Sequence, residues 1–162
     1  NMSDKLIIMD EGNIRQMGTP RQVYEYPKNR FVAEFVGERN IIECEFSSIT
    51  DGKILVNYAG IEMEASPNIY ENKDETRILQ KGDKVLATVH ADKIIVTREK
   101  LHAPSIYGTV IQSSYTGAVT KTEIETKAGL IKQSEYGGDA VYKKGEKVYI
   151  SWDGENCLII NE

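Results

Sequence analysis

The chain has 162 residues, 40% of them hydrophobic and 28% charged, with a formal net charge of −5. That is enough chain for one domain with a genuine core, with or without an appendage. The longest apolar runs, LIIM and CLII, fall far short of the roughly 18 residues a membrane span needs, and no charged-then-apolar leader opens the chain, so it reads as water-soluble. Basic residues are scattered rather than clustered, which argues against binding a nucleic-acid backbone. The mild acidity reads as a solvated surface.

Residues 1–37 differ in pattern from the rest. Lys5–Met9 reads as a short buried strand, DEGN as a turn and Ile14–Met17 as its hairpin partner. Thr19, Pro20 and Gln22 then spell a capping box, with Thr19 at N-cap, Pro20 at N1 and Gln22 at N3. That helix must stop near Tyr26, because Pro27 disfavours helical geometry in the residue before it. Asn29 can cap a second helix with an apolar stripe of Phe31, Val32, Phe35 and Val36, and Gly37 is a natural stop.

From Glu38 onward the signal is strand after strand. KVLATVH puts Val85, Ala87 and Val89 on one face, and KTEIETK puts Thr122, Ile124 and Thr126 opposite Lys121, Glu123, Glu125 and Lys127. Glycine-bearing turns at TDGK, YAG, KGDK, KAG, KKGEK and WDGEN divide these into short strands. The fold class expected is mainly β: a small barrel or sandwich of short antiparallel strands. An internal repeat sharpens this. KGDKVLATVHADKIIV from Lys81 and KGEKVYISWDGENCLII from Lys144 align without a gap (144 − 81 = 63), matching Val85 with Val148, Ala87 with Ile150 and Val89 with Trp152. YAGIE and KAGLI also correspond, at a shift of 69 (129 − 60), which leaves six extra residues of the first copy within or beside SPNIYENKDETR. Two related β units, at about 40–100 and 105–162, can complete each other's edges and close a barrel.

Chemistry-bearing patterns are sparse. DEGNIRQMGTP has two glycines, but five residues separate Gly12 from Gly18, and Thr19 stands where a phosphate loop requires lysine. Ser113 and Ser114 lack a G-x-S-x-G elbow. His90 and His102 share no metal-ligand spacing with Cys44 or Cys157, and each cysteine lies in strand-like alternation, read as a buried free thiol. His90 and Asp92, two apart, make a polar turn feature, a surface pair or part of a site. Tyr149 and Trp152 could present an aromatic platform for a base, but alternation groups Val148, Ile150 and Trp152, so Trp152 reads as core or interface.

The run MSDKLIIMDEGNIRQMGTPRQVYEYPKNRFVAEFVGERN closely resembles the end of the nucleotide-binding domain of importer-type ABC ATPases, matching at nearly every position from Met2 to Gly37. The remainder resembles that family's regulatory TOBE domain, an OB-like β body. Its G-x-V-x-x-x-x-Y-x-G hallmark is met by Gly108, Val110, Tyr115 and Gly117, and the ending KGEKVYISWDGENCLII is most similar to the spermidine/putrescine importer subgroup. The resemblance implies a division into residues 1–37, the tail of the ATPase domain (hairpin plus two helices), and residues 38–162, the TOBE/OB-like regulatory domain. It implies a regulatory and dimerising role, with no Walker A, Walker B, signature motif or switch histidine in this stretch and no catalysis or cofactor of its own. ATP and Mg would belong to the parent subunit. The implied partners are a second copy through the regulatory domain and membrane permease subunits through the ATPase domain, with no nucleic acid, at the cytoplasmic face of the membrane. Relatives carry Arg-Pro-Glu where this chain has His90-Ala91-Asp92, so a bidentate arginine is missing there. The candidate regulatory or interface residues are His90, Asp92, Tyr115, Gly117, Trp152 and Asp153. Rival readings are a sensor of a small oxyanion or polyamine, with QSSYTGAVTK supplying donors, and a single-stranded nucleic-acid-binding OB module.

Overall fold

The computed structural model describes residues 4–68, 79–137 and 141–162. The chain begins with an antiparallel hairpin of β1 (Leu6–Asp10) and β2 (Asn13–Gly18). Its two-residue turn puts Glu11 at φ 49° and Gly12 at φ 80°, the doubly left-handed geometry that matches strand twist and that glycine adopts without strain. Helix α1 (Pro20–Glu25) starts at the expected capping box: Gln22 N donates to Thr19 Oγ1 at 3.2 Å and Thr19 N donates to Gln22 Oε1 at 2.9 Å. Helix α2 (Arg30–Val36) is capped by Asn29, whose Oδ1 accepts from Val32 N at 2.9 Å, and ends at Gly37 with φ 74°.

Two apolar patterns in this segment are covered on one side only, for one reason. β1 is not buried throughout: Ile8 is, but Ile7 and Met9 face outward beside Ile14 and Met17 of β2. Nor is the stripe on α2 wholly inward, since Phe35 is 64% exposed and stacks on Phe31 at 6.2 Å. The hairpin and helices bury one face each around a small cluster of Ile8, Val23 and Val32. A two-stranded ribbon with two short helices has no second layer to cover the opposite faces.

The β body runs through β3 (Arg39–Thr50), β4 (Lys53–Tyr58), β5 (Ile61–Ala65), β6 (Lys84–His90), β7 (Ile95–Thr97), β8 (Ile106–Tyr115), β9 (Val119–Thr126), β10 (Gly129–Tyr136), β11 (Lys147–Ser151) and β12 (Leu158–Ile160). These form two curled antiparallel sheets, ordered β12-β6-β3-β4-β5 and β10-β9-β8-β11-β7. The first curls until its ends meet: Ser66 N, just past β5, donates to Cys157 O at 2.7 Å, and Ile159 N donates to Ser66 O at 3.0 Å. The architecture is OB-like and mainly β, as the punctuated short strands predict. Period-two burial holds on β9, where Thr122 and Ile124 are buried and Thr126 lies beside them, while Lys121 and Glu125 face solvent. Between the sheets lies one apolar core that includes Ile42, Val56, Val89, Val110, Ile124, Val148, Ile150 and Cys157.

The 63-residue spacing recurs in the way the sheets close. A 3-10 turn follows β6 at Ala91–Lys93, and another follows β11 at Gly154–Asn156, 63 positions later (154 − 91). In each unit the strand after the turn leaves its own sheet and pairs in the other: β7 with β11, and β12 with β6. The registers are equivalent, since Ile150 faces Val96 and Ala87 faces Ile159. The exchange supplies each sheet with a strand it would otherwise lack and covers an open edge. The YAGIE–KAGLI correspondence needs correction. Tyr58 faces Ile61 and Thr126 faces Gly129, a shift of 68 (126 − 58) rather than 69. Pairing across the hairpin sets the register: Gly60 sits inside its turn, whereas Gly129 opens the returning strand at φ 138°. The proposed six-residue excess within SPNIYENKDETR lies largely outside the described residues.

Side chains also join the units directly. Asn40 on β3 is 5% exposed; its Nδ2 donates to Lys132 O at 2.9 Å and to Val89 O at 3.3 Å, and its Oδ1 accepts from Lys132 N at 2.8 Å. A carboxamide thus stands in for a strand along β10. Among the described residues, no helix is long and apolar enough to cross a membrane.

Candidate functional site

The hallmark residues are explained by packing. A Cβ on Gly108 would lie 2.5 Å from Ile124 Cγ2 and 3.0 Å from Glu125 O, so β8 can cross β9 this closely only without a side chain there. Val110 is in the core. Tyr115 is exposed and its hydroxyl donates to Gly117 O at 2.6 Å, while Gly117 turns the chain at φ 81°. Nearby, the Ser113 and Thr122 hydroxyls share a 2.9 Å hydrogen bond and Thr116 Oγ1 donates to Val119 O at 3.2 Å, so these hydroxyls serve their own hairpin.

Trp152 lies in the core at 6% exposure, edge-on to Tyr58 with ring centroids 6.2 Å apart, and its Nε1 donates to Glu64 O at 3.2 Å. It is placed to hold the units together and presents no platform for a base. Tyr58 in turn shares a hydrogen bond of 3.2 Å with Thr126 Oγ1 of the second unit, and burial pushes its phenol pKa up. Asp153 is exposed and begins the second 3-10 turn without a side-chain capping bond. Both thiols are free and buried. Burial pushes the Cys44 pKa up to about 12 and raises that of Cys157 further, so neither is poised as a nucleophile. Cys44 lies in β3 as expected, whereas Cys157 sits between the second turn and β12.

His90 and Asp92 are brought together. His90 precedes the first 3-10 turn, and its Nδ1 accepts from Asp92 N at 3.2 Å while lying 2.7 Å from Asp92 Oδ1. Nδ1 can serve one role at a time: unprotonated it receives the N–H, and protonated it donates to the carboxylate. Directly opposite His90 in the β3–β6 ladder stands Arg39, a residue the sequence reading passed over. Its Nε and Nη2 donate to Tyr24 O at 3.2 and 3.0 Å, and Nη2 also donates to Glu25 O at 3.0 Å. A cation thereby caps the carbonyl end of α1, where the helix carries partial negative charge. Burial pushes the Arg39 pKa down to about 10, against the opposing fields of Asp92 and Glu25, and its Nη1 is buried without a hydrogen-bond partner among the described residues. The arginine missing from the His90-Ala91-Asp92 triplet therefore has a spatial neighbour on the adjoining strand. Sequence spacing could not reveal it, because Arg39 and Asp92 meet only through strand pairing.

These groups line a cavity of about 450 Å³ between the end of α1 and the two 3-10 turns. A larger hollow of about 750 Å³ lies over the outer face of the first sheet, lined by residues that include Arg30, Glu43, Lys84, Leu86 and Glu162. There Arg30 bridges Glu43 at 3.1 Å and Glu162 at 3.0 Å, tying α2 to β3 and the last residue. Among the described residues, no group of three or more His, Cys, Asp or Glu side chains is arranged to hold a metal ion.

Comparison with known proteins agrees with the architecture. Residues 87–160 match the model of the TOBE domain. The chain is 30% identical over 170 residues to the spermidine/putrescine import ATP-binding protein PotA of Thermotoga maritima, covering 99% of this chain and 44% of that protein. It is 31% identical over 160 residues to the PotA of Hahella chejuensis (94% and 42%), and 30% identical over 169 residues to that of Vibrio cholerae (100% and 43%). The chain thus spans less than half the length of these curated relatives. Among solved structures, the cytoplasmic molybdate-binding protein ModG superposes with a TM-score of 0.62 at 16% identity, over 76% of this chain and 96% of that one, a likeness of fold. Residues 87–160 thus match the TOBE-domain model, and the chain is similar over nearly its whole length to the spermidine/putrescine import ATP-binding proteins.

Proposed function

We propose that this chain is the regulatory and dimerising region of the ATP-binding subunit of an ABC importer for spermidine or putrescine. The observation that carries this reading is the extent of the similarity: it covers 99% of the chain, hairpin and helices included, and does not stop at the TOBE match. The uncovered apolar side of the hairpin, Ile7, Met9, Ile14 and Met17, fits residues 1–37 being the tail of a larger ATPase domain and residues 38–162 the regulatory body. In this reading ATP and Mg²⁺ are handled by the rest of the parent subunit, which couples hydrolysis to uptake at the cytoplasmic face of a membrane permease. This region contributes association and control.

Sedimentation equilibrium tests the dimerising role: a reversible monomer–dimer equilibrium is expected, and a strictly monomeric chain at the highest soluble concentration overturns it. Deleting residues 38–162 from the parent subunit should impair uptake of radiolabelled spermidine, and undiminished uptake refutes the regulatory assignment. A second reading, that the region senses a small ligand, is favoured by the cavity beside Arg39, whose lining carries charges of both signs.

A further inference from the structure

The hairpin–helix segment and the β body are joined by one peptide link, Gly37–Glu38, and by a set of polar ties. Each side keeps its own apolar cluster, around Ile8, Val23 and Val32 in the segment and around residues such as Ile42, Val89 and Ile150 in the body. Hydrogen bonds from the body converge on the backbone between the two helices. Asn161, just past β12, donates its N–H to Lys28 O at 3.0 Å and accepts from Arg30 N at 2.9 Å, and Asn68 Nδ2 donates to Pro27 O at 2.8 Å. Arg39 holds the carbonyls of Tyr24 and Glu25, and Arg30 reaches Glu43 and Glu162. Beside these bonds lies the cavity of about 450 Å³ at the end of α1, so the two parts are not close-packed there. An interface held by polar ties around a void permits relative motion. The link itself is held in an unfavourable shape: Gly37 has φ 74°, and Glu38, which carries a side chain, has φ 55°.

We propose that the stretch after β12, centred on Asn161, is a strap that docks the hairpin and helices on the β body and releases them as a unit, with Arg39 as a second latch and Gly37–Glu38 as the hinge. β12 is the exchanged strand of the second unit, paired with β6 of the first, so its continuation at Asn161 connects the helices to both units at once. The grip consists of two backbone hydrogen bonds and the Glu162 carboxylate on Arg30. Asn161 and Glu162 are exposed, so water replaces these partners on release at little cost. Release leaves the Ile8–Val23–Val32 cluster and the Asn29 cap of α2 intact, because both lie within the segment. Gln16 likewise stays bonded inside it, to Tyr26 O and Lys28 N, each at 2.9 Å. In the importer reading, on which its role rests, the strap sets whether the tail of the ATPase domain moves with the regulatory body or apart from it.

The test is native-state hydrogen exchange on the whole chain, followed through sub-denaturing urea. The amides of Arg30 and Asn161, which donate across the joint, should share one opening, easier than that of the β9 amides and with a smaller but measurable urea slope, because less surface is exposed. Arg39→Gln should speed both amides by the same factor, about tenfold or more for the loss of charge-assisted hydrogen bonds. A merely local role for Arg39 would fray the end of α1 and leave the Asn161 amide as it was, which overturns the proposal. Should Arg39→Gln fail to fold, Asn161→Pro serves: it removes the strap's N–H after a residue that is already extended. By linkage it should speed exchange at the distant Arg39 Nε–H, and an unchanged rate there overturns the proposal too. So does a wild-type chain in which Arg30 and Asn161 open only with β9, or each by itself without urea dependence. Exchange tests the joint alone, and its failure leaves the importer assignment, tested by sedimentation and uptake, standing.

Discussion

Replacing Asn40 by alanine removes three hydrogen bonds, two across the joint between the β units, to Lys132 O and from Lys132 N, and one within the first unit, to Val89 O. Each is worth about 0.5–1.5 kcal/mol net, and a backbone group left buried and unbonded costs about 1–3 kcal/mol. Water could reach part of the gap, since the Lys132 contacts are only partly buried. The expected loss is therefore about 2–4 kcal/mol of unfolding free energy, a large part of the margin of a domain this size. Trp152 is the only tryptophan and is buried in the core, so its fluorescence in a urea titration reports the transition. Asn40→Asp makes a sharper comparison. The carboxylate keeps the acceptor for Lys132 N but faces the two carbonyl oxygens without a proton to offer, so it should be no better than alanine near neutral pH. Hydrogen exchange at the Lys132 amide should accelerate in both variants. A loss below about 1 kcal/mol with unchanged exchange at Lys132 would refute the idea that Asn40 joins the units.

Gly108→Ala should cost about 1–3 kcal/mol, because its methyl would sit 2.5 Å from Ile124 Cγ2 with backbone at 3.0 Å behind it; an unchanged urea midpoint would show that β8 and β9 can separate freely. Thr19→Ala removes the cap of α1 and should cost about 1 kcal/mol locally, seen as faster exchange at the Gln22 and Val23 amides while those of β6 and β9 are unaffected. The buried thiols give a pH dependence of known sign. The folded pKa of Cys44 is raised from 9.0 to about 12 and that of Cys157 is raised as well, so their contribution is complete below pH 9 and is lost as pH rises above it. Between pH 9 and 10 the slope approaches about 1.4 kcal/mol per pH unit for each thiol. The urea midpoint should fall over that window, and in a Cys44→Ala, Cys157→Ala variant the fall should largely vanish; equal falls in both proteins would contradict the assignment.

How much of this was legible in the sequence depends on the range of the interaction. The Thr19–Gln22 capping box, the Asn29 cap and the Gly12 turn arise from residues within a few positions of one another, and the sequence predicts them in place. The alternation on β9 and the 63-residue repeat are equally readable, since periodicity and self-similarity are properties of the chain itself. Phe35 shows the limit: helical spacing put it in the apolar stripe of α2, but which part of a stripe is covered depends on the layer opposite, and Phe35 has none over it. The shift of 68 rather than 69 between the hairpins illustrates the same point, because register is set by the partner strand.

The candidate site divides along the same line. Gly108, Val110, Tyr115 and Gly117 were found by motif, and the structure supplies packing and turn geometry as their reasons. His90 and Asp92 were found by spacing, but Arg39, Lys93 and Glu155 join them only through the β3–β6 pairing and the approach of the two 3-10 turns. The sequence by itself determined the short strands, the caps, the doubled unit and the family resemblance, all of which follow from local sterics, periodicity and pattern. Tertiary structure alone decided that β7 and β12 change sheets, that Asn40 bonds to β10, and that Arg39 Nη1 is shut away without a hydrogen-bond partner among the described residues, because edge pairing and desolvation depend on groups that are distant along the chain.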